Sequence, residues 1–406
     1  MIWRAIVDGA MKLPLTRVAT VVALALTCGC ARGPAPAPAL ASSPAPPLTA
    51  SQVAALIPDR VADRAGWGEA VWNGLAANGL PVDRAAACAV IAVIGQESGF
   101  QENPVVPGLA RIVRARIDRY KTKLGPLGDP LFQRLLEGRA PGDARPFTRR
   151  LDTVRTERDV DVLFRDLLAY YQFNHPALFQ AAGWAGKLVD VDELAELNPV
   201  TTAGSMQVSV RFATQWAQDH GGASAKSTEV RDALYTRAGG VYYGAARLLG
   251  FPARYDQAVY RFADYNAGYY ASRNAAVQEQ LSRLTGMPLA LDGDLLAYQR
   301  NGAPSDADSA SARAVHAFAG RFAPRLSPRQ IRRDLLAEKT LAFEDTETYR
   351  AIKAAAEQRD GRAPAYARLP EVTLDSPKLS RPLSTAWFAR AVQRRNEACL
   401  SSEDRR

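Results

Sequence analysis

The chain has 406 residues, 47% hydrophobic and 23% charged, with a formal net charge of +9 at pH 7. This balance excludes a disordered chain, and the absence of any run of about 18 apolar residues beyond the N-terminus excludes a polytopic membrane protein. Four cysteines and three histidines exclude a disulfide scaffold and argue against a multi-ligand zinc site.

Residues 1–29 read as an export signal. Arg17 precedes an apolar run from Val18 to Leu26 that is too short to cross a bilayer. Gly29 stands immediately before Cys30, and this junction resembles the bacterial lipobox, at which the signal is removed and the cysteine acylated. Simple secretion is the alternative. Ala31, rather than Asp, follows Cys30, which favours sorting to the outer membrane, facing the periplasm. Residues 31–48 are almost entirely Ala, Pro and Ser. They cannot build a core, and as an extended tether they reach on the order of 50 Å. Residues 30–50 are therefore expected to be an anchor and linker.

From Thr49 onward the pattern is helical and the expected fold class is all-α. Asp83 is a good N-cap for the Arg84–Ile94 segment, whose Ala, Val and Ile residues leave almost no polar face, as in a helix at the centre of a domain. Amphipathic helices are expected over 109–124 and 158–173, separated by Gly-Pro and Gly-Asp clusters near 125–130 and 141–146. Further helices are expected over 209–219, 229–250, 254–264, from Ser327, over 344–357 and over 384–399.

Three short segments depart from what packing alone selects. Gln96-Glu97-Ser98-Gly99-Phe100 ends the apolar helix, where apolar surroundings and the negative end of the helix dipole both favour a protonated carboxyl. A protonated acid near neutral pH suits a general acid on a glycosidic oxygen. Gly204-Ser205-Met206-Gln207 offers close backbone approach and an amide. Asp264-Tyr265-Asn266-Ala267-Gly268-Tyr269-Tyr270 is a polar, aromatic turn whose hydroxyl and amide suit sugars. Singly, each could be an ordinary helix end or turn.

Taken in order, Glu-Ser-Gly-Phe, Gly-Ser-Met-Gln and Tyr-Asn-Ala-Gly resemble the motif series of the soluble-type lytic transglycosylases, whose catalytic domain has the goose-type lysozyme fold. Gly240-Val-Tyr-Tyr-Gly-Ala-Ala-Arg-Leu-Leu-Gly is similar to the helix that family places between its second and third motifs. The matching pieces lie within 83–101 and 200–275. The resemblance implies a lysozyme-like helical domain that cleaves the bond between N-acetylmuramic acid and N-acetylglucosamine in peptidoglycan and leaves a 1,6-anhydro ring. It implies that Glu97 is the one catalytic carboxylate, acid and then base, so that no second carboxylate at fixed spacing is needed. By the same resemblance Ser98 bonds near the acid or the substrate, Met206 and Gln207 line the cleft, Tyr265 orients Glu97 and Asn266 holds the sugar. No metal or organic cofactor and no nucleic acid partner is expected; the partners are glycan strands and, through Cys30, a membrane.

Gly204 follows Glu97 by 107 positions, where that family has a short loop, so residues 102–198 are expected to be a helical insertion within a catalytic domain spanning 51–290. Its Tyr170, Tyr171 and Phe173 could stack on sugars or pack between helices. Ser205 stands where the family has Leu, and Asp264 where it has Ala. Asp264 is either a second acid or a solvent-facing residue at a helix end. Residues 291–406 are expected to be a helical extension. Cys88 and Cys399 could bridge the two ends of the folded part in an oxidising periplasm or remain buried thiols. His175, His220 and His316 are isolated and read as surface or packed residues. A lysozyme-like hydrolase using Asp264 or an insertion carboxylate, and a non-catalytic glycan-binding lipoprotein, remain the alternatives.

Overall fold

A computed structural model of the protein describes residues 46–123, 125–174, 198–221, 225–299, 302–374 and 383–402. Cys30, the Ala/Pro tether before residue 46 and His175 lie outside the described residues. The fold is all-α. Its helices are α1 (Ala50–Leu56), α2 (Arg64–Ala77), α3 (Arg84–Glu97), α4 (Leu109–Lys123), α5 (Gly128–Glu137), α6 (Phe147–Thr153), α7 (Glu157–Asn174) and α8 (Val210–Gly221). They continue as α9 (Ser227–Leu234), α10 (Arg237–Leu249), α11 (Ala258–Ala267), α12 (Ala271–Thr285), α13 (Ala310–Phe322), α14 (Pro328–Leu335), α15 (Glu347–Asp360) and α16 (Thr385–Leu400). Two antiparallel pairs of two-residue strands also occur among the described residues: β1 (Thr202–Ala203) with β2 (Val208–Ser209), and β3 (Thr373–Leu374) with β4 (Leu383–Ser384). No described helix is long and apolar enough to cross a membrane.

Helix α3 is the axis of the largest core. Asp83 starts it by accepting from the Ala86 N–H at 2.8 Å, and every residue from Ala86 to Ile94 is buried. Alanine alternates with Val and Ile along it, so neighbouring helices approach closely on several sides. Helices α1, α2, α10 and α16 all pack against it. The segment expected to be one helix over 229–250 is two, because the Thr236 side chain accepts from the Gly239 N–H and starts α10 afresh.

The 102–198 insertion carries its own small core, in which Leu109, Phe147, Leu151, Val160 and Leu163 pack with Val200. A third core joins one face of α12 to α13, α14 and α15 through Val277, Leu281, Phe318, Ile331 and Ile352. The C-terminal extension is therefore split. Residues 310–360 belong to the third core, but α16 returns to the first, where Phe388, Ala389 and Val392 pack in the same cluster as α3. Cys399 of α16 is disulfide-bonded to Cys88 of α3, with 5.5 Å between their Cα atoms and 311 positions between them in sequence.

Candidate active site

The first motif lies where α3 ends. Ser98 closes the helix; its hydroxyl donates to the Ile94 carbonyl at 3.2 Å and accepts from the Gln101 N–H at 3.3 Å. It is buried, so its described bonds are to the backbone of its own turn. Gly99 and Phe100 both adopt left-handed backbone, at φ 60° and 66°, and swing the chain back over α2. Phe100 has a β-carbon in that region, which costs about 1–2 kcal/mol. Its ring offsets part of this by packing edge-on against Trp67, centroid to centroid 5.5 Å. Arg237 lies over the Trp67 ring at 4.7 Å and donates to Glu102 at 3.0 Å. Glu97 itself is the last residue of α3 and half-buried.

The second motif is the turn of the β1–β2 hairpin. Thr202 pairs with Ser209 and Ala203 with Val208, leaving residues 204–207 as the connection. Gly204 is at φ 79°, and a β-carbon there would lie 2.1 Å from the Leu234 carbonyl oxygen, so only glycine fits. We expect Gly204→Ala to destabilise the fold by at least about 2 kcal/mol, from left-handed strain plus the backbone clash. A denaturant-unfolding midpoint unchanged from the parent would contradict this.

Met206 does not line an open cleft. Its side chain is wholly buried against α10, where a β-carbon on Gly244 would fall 2.1 Å from its sulfur. Helix α10 thus carries glycines at 240 and 244 because the second motif is pressed into it; a β-carbon on Gly240 would meet the buried Ser205 hydroxyl at 2.9 Å. The part of Met206 that reaches the third motif is its carbonyl. It accepts from the Tyr265 hydroxyl at 2.6 Å, joining the second motif to the third.

Tyr265 lies in the last turn of α11, buried. Burial raises its phenol well above the ordinary value, and the nearby negative charge of Glu97 raises it further. Tyr265 thus stays a neutral phenol, with its proton committed to Met206 and Glu97 as an electrostatic neighbour. The second and third motifs meet here, and the first, 107 positions before the second, acts on the same phenol through the charge of Glu97.

Gln207 holds a left-handed backbone at φ 50°. Its amide nitrogen donates to Glu157 at 2.8 Å and to the Gly204 carbonyl at 3.3 Å, while its amide oxygen accepts from the Thr202 hydroxyl at 3.1 Å. Both amide protons are thus engaged inside the protein. Asn266 is exposed at the end of α11 and its amide oxygen accepts from the Thr385 hydroxyl at 3.2 Å, at the start of α16.

Asp264 is neither solvent-facing nor placed to activate water. It is fully buried, accepting from the Tyr255 hydroxyl at 2.5 Å and from the Ser272 N–H at 2.7 Å, and so serves the first turn of α12. The tight turn through Gly268, at φ 116°, brings α12 back onto α11 and closes over this carboxyl. Burial is the largest cause of its pKa rising from 3.8 to about 6, against the bonds from Tyr255 and Ser272. Because the folded state holds this proton more tightly, the group's contribution to stability is full below pH 3.8 and is lost as pH rises through about 6. That contribution is about 3 kcal/mol. Asp264→Asn should flatten this part of the stability profile; a parent and variant with parallel profiles from pH 4 to 7 would contradict it.

Two residues at the site carry no sequence signal of their own. Arg247 of α10 lies over the rings of Tyr269 at 4.4 Å and Phe212 at 5.3 Å, and donates to the Asp264 carbonyl at 3.3 Å. It is a cation at the C-terminal end of α11, where carbonyls lack helical partners. Glu157, in the first turn of α7, is only 6% exposed and reaches Gln207 from the insertion. An acidic residue after Thr at a helix start is too common to be singled out by sequence. Of the insertion aromatics, Tyr170 packs on Phe147, the Tyr171 hydroxyl donates to the Arg134 carbonyl, and Phe173 is 85% exposed. His220 stacks on Trp216, centroid to centroid 3.9 Å.

A family model described as "Protein of unknown function (DUF1615)" matches residues 60–402. The chain belongs to this family. The match runs from before Glu97, through the 102–198 segment, to beyond Cys399, so in DUF1615 terms the insertion and the returning α16 lie inside one unit. A relative in Escherichia coli (strain K12), the uncharacterized protein YaiW, is 36% identical over 357 residues, covering 86% of this chain and 89% of its own. No solved structure matches. 

Proposed function

We propose that this DUF1615 protein is a peptidoglycan lytic transglycosylase, held at the outer membrane through an acylated Cys30 and facing the periplasm. The observation that carries this reading is the Tyr265 hydroxyl, which bonds the Met206 carbonyl and so joins the second motif to the third, with the charge of Glu97 in the first near enough to raise the phenol. A glycan-binding surface alone would not require a carboxyl at a helix C-terminus backed by a buried phenol.

In this mechanism Glu97 protonates the glycosidic oxygen between N-acetylmuramic acid and N-acetylglucosamine. The negative end of α3 disfavours the ionised form and so favours that donation. Tyr265 donates its hydroxyl hydrogen to the Met206 carbonyl and offers any other neighbour only lone pairs, so it gives the Glu97 carboxylate no hydrogen bond that would hold it ionised. Glu97, now a carboxylate, takes the proton of the muramoyl 6-hydroxyl as that oxygen closes on the anomeric carbon. One glycosidic bond breaks, one ring bond forms and no water is consumed.

The test is mass spectrometry of fragments released from purified sacculi by the chain lacking residues 1–30. Muropeptides ending in an anhydro ring, one water lighter than reducing ends, are expected. Reducing ends would make the protein a lysozyme-like hydrolase, with Glu157 the first carboxylate to examine. No fragments together with pelleting on sacculi would leave a glycan-binding protein.

A further inference from the structure

The insertion supplies the second motif with a carboxylate. Gln207 is a non-glycine residue in left-handed backbone, a conformation that costs about 1–2 kcal/mol and persists only where its surroundings enforce it. The Gln207 N–H donates to the Gly204 carbonyl at 3.0 Å, and the side chain is held between Glu157, Thr202 and Gly204. Of these anchors only Glu157 comes from outside the hairpin, and only it carries charge.

Glu157 is itself firmly placed. It lies in the first turn of α7, where the helix dipole favours an anion. Asp159 fixes the start of that helix by accepting from the N–H groups of Arg155 at 2.9 Å and Thr156 at 2.8 Å. One turn further on, buried Asp161 is locked by Arg231 at 3.1 Å and Asn198 at 2.5 Å. These contacts pin α7 to α9 and to the segment that leads into the motif.

We infer that Glu157 is a positioning residue: it holds Gln207 left-handed and thereby aims the Met206 carbonyl at Tyr265. The peptide plane that carries the Met206 carbonyl also carries the Gln207 N–H, so the Gln207 φ angle sets how that carbonyl lies relative to the rest of the hairpin. The chain of contacts then runs from Glu157 through the amide of Gln207 and the carbonyl of Met206 to the Tyr265 hydroxyl beside Glu97. The 102–198 segment is thus a buttress of the acid's surroundings as well as an addition to the fold. This inference rests on the transglycosylase reading for its activity readout.

The test is a double-mutant cycle in the full-length chain purified in detergent, following anhydro-end release from sacculi. Glu157→Ala is expected to lower kcat about 10-fold with KM within about 2-fold, and Glu157→Gln, which keeps an acceptor for the Gln207 amide, should recover most of the loss. Gln207→Gly takes left-handed backbone without strain, so in that background Glu157→Ala should cost less than about 3-fold. Equal losses in both backgrounds, or Glu157→Gln as inactive as Glu157→Ala, would overturn the inference and make Glu157 a reacting carboxylate or a residue acting elsewhere. If the parent releases no anhydro ends, the transglycosylase reading fails on its own. The same cycle scored by melting temperature then decides whether Glu157 acts through the Gln207 backbone: non-additive shifts support it and additive shifts overturn it.

Discussion

Glu97→Gln is expected to abolish release of anhydro-ended fragments, lowering turnover at least about 1,000-fold while sacculus binding and melting temperature stay close to the parent's. The amide has the shape of the carboxyl but neither gives nor takes a proton at the required strength. General acid and general base catalysis each contribute typically about 100- to 10,000-fold, and here a single group performs both in turn. Folding should tolerate the change because Glu97 is the terminal residue of α3, half-buried, and the helix is held by apolar contacts from Ala86 to Ile94. Asp264→Asn makes the contrast: that carboxyl is sealed beneath the α11–α12 turn and tied to Tyr255 and Ser272, so fragment release at neutral pH should persist. Near-full activity of the Glu97 variant would remove the acid from the proposal and the proposal with it.

Breaking the Cys88–Cys399 bridge is expected to lower the melting temperature on the order of 5–15 °C. Removing a bridge that closes a long loop costs about 2–5 kcal/mol, and a domain of this size loses a few degrees per kcal/mol. The bridge joins α3, which ends in Glu97, to α16, whose first turn bonds Asn266 through Thr385. Its loss therefore loosens the first and third motifs as well as the chain as a whole. Cys399→Ser and the parent under reductant should melt together, below the oxidised parent. Identical melting of oxidised and reduced parent, with the two-hydrogen mass difference verified, would show that packing of Phe388, Ala389 and Val392 already fixes α16 without the bond.

The sequence by itself determined helices such as α3, α4, α7 and α16, because their signals are local. Ala, Val and Ile around every face of 84–94 specify a buried helix, and Asp83 satisfies an N–H group three residues ahead of it, whereas the Thr236 cap that divides 229–250 emerged only in the fold. It also determined which motifs to watch, since Glu-Ser-Gly-Phe, Gly-Ser-Met-Gln and Tyr-Asn-Ala-Gly follow one another in order; that Gly99 and Gly204 take left-handed backbone is a finding of the fold. Tertiary structure alone decided what each side chain meets. Asp264 is polar and ends a helix pattern, so it reads as a second acid or a solvent-facing residue until the Gly268 turn folds α12 over it. Met206 reads as cleft lining until glycines 240 and 244 open a groove that takes its side chain and leaves only its carbonyl for Tyr265. Glu157 reads as an ordinary first-turn acid until the insertion folds back onto Gln207. The return of α16 to α3 depends on contacts across 311 positions; in sequence Cys88 and Cys399 leave a bridge and two buried thiols equally open, and the fold decides for the bridge. Periodicity and capping act within a turn or two of chain, whereas burial, pairing and the company of a carboxylate are fixed by which surfaces the packed cores bring together.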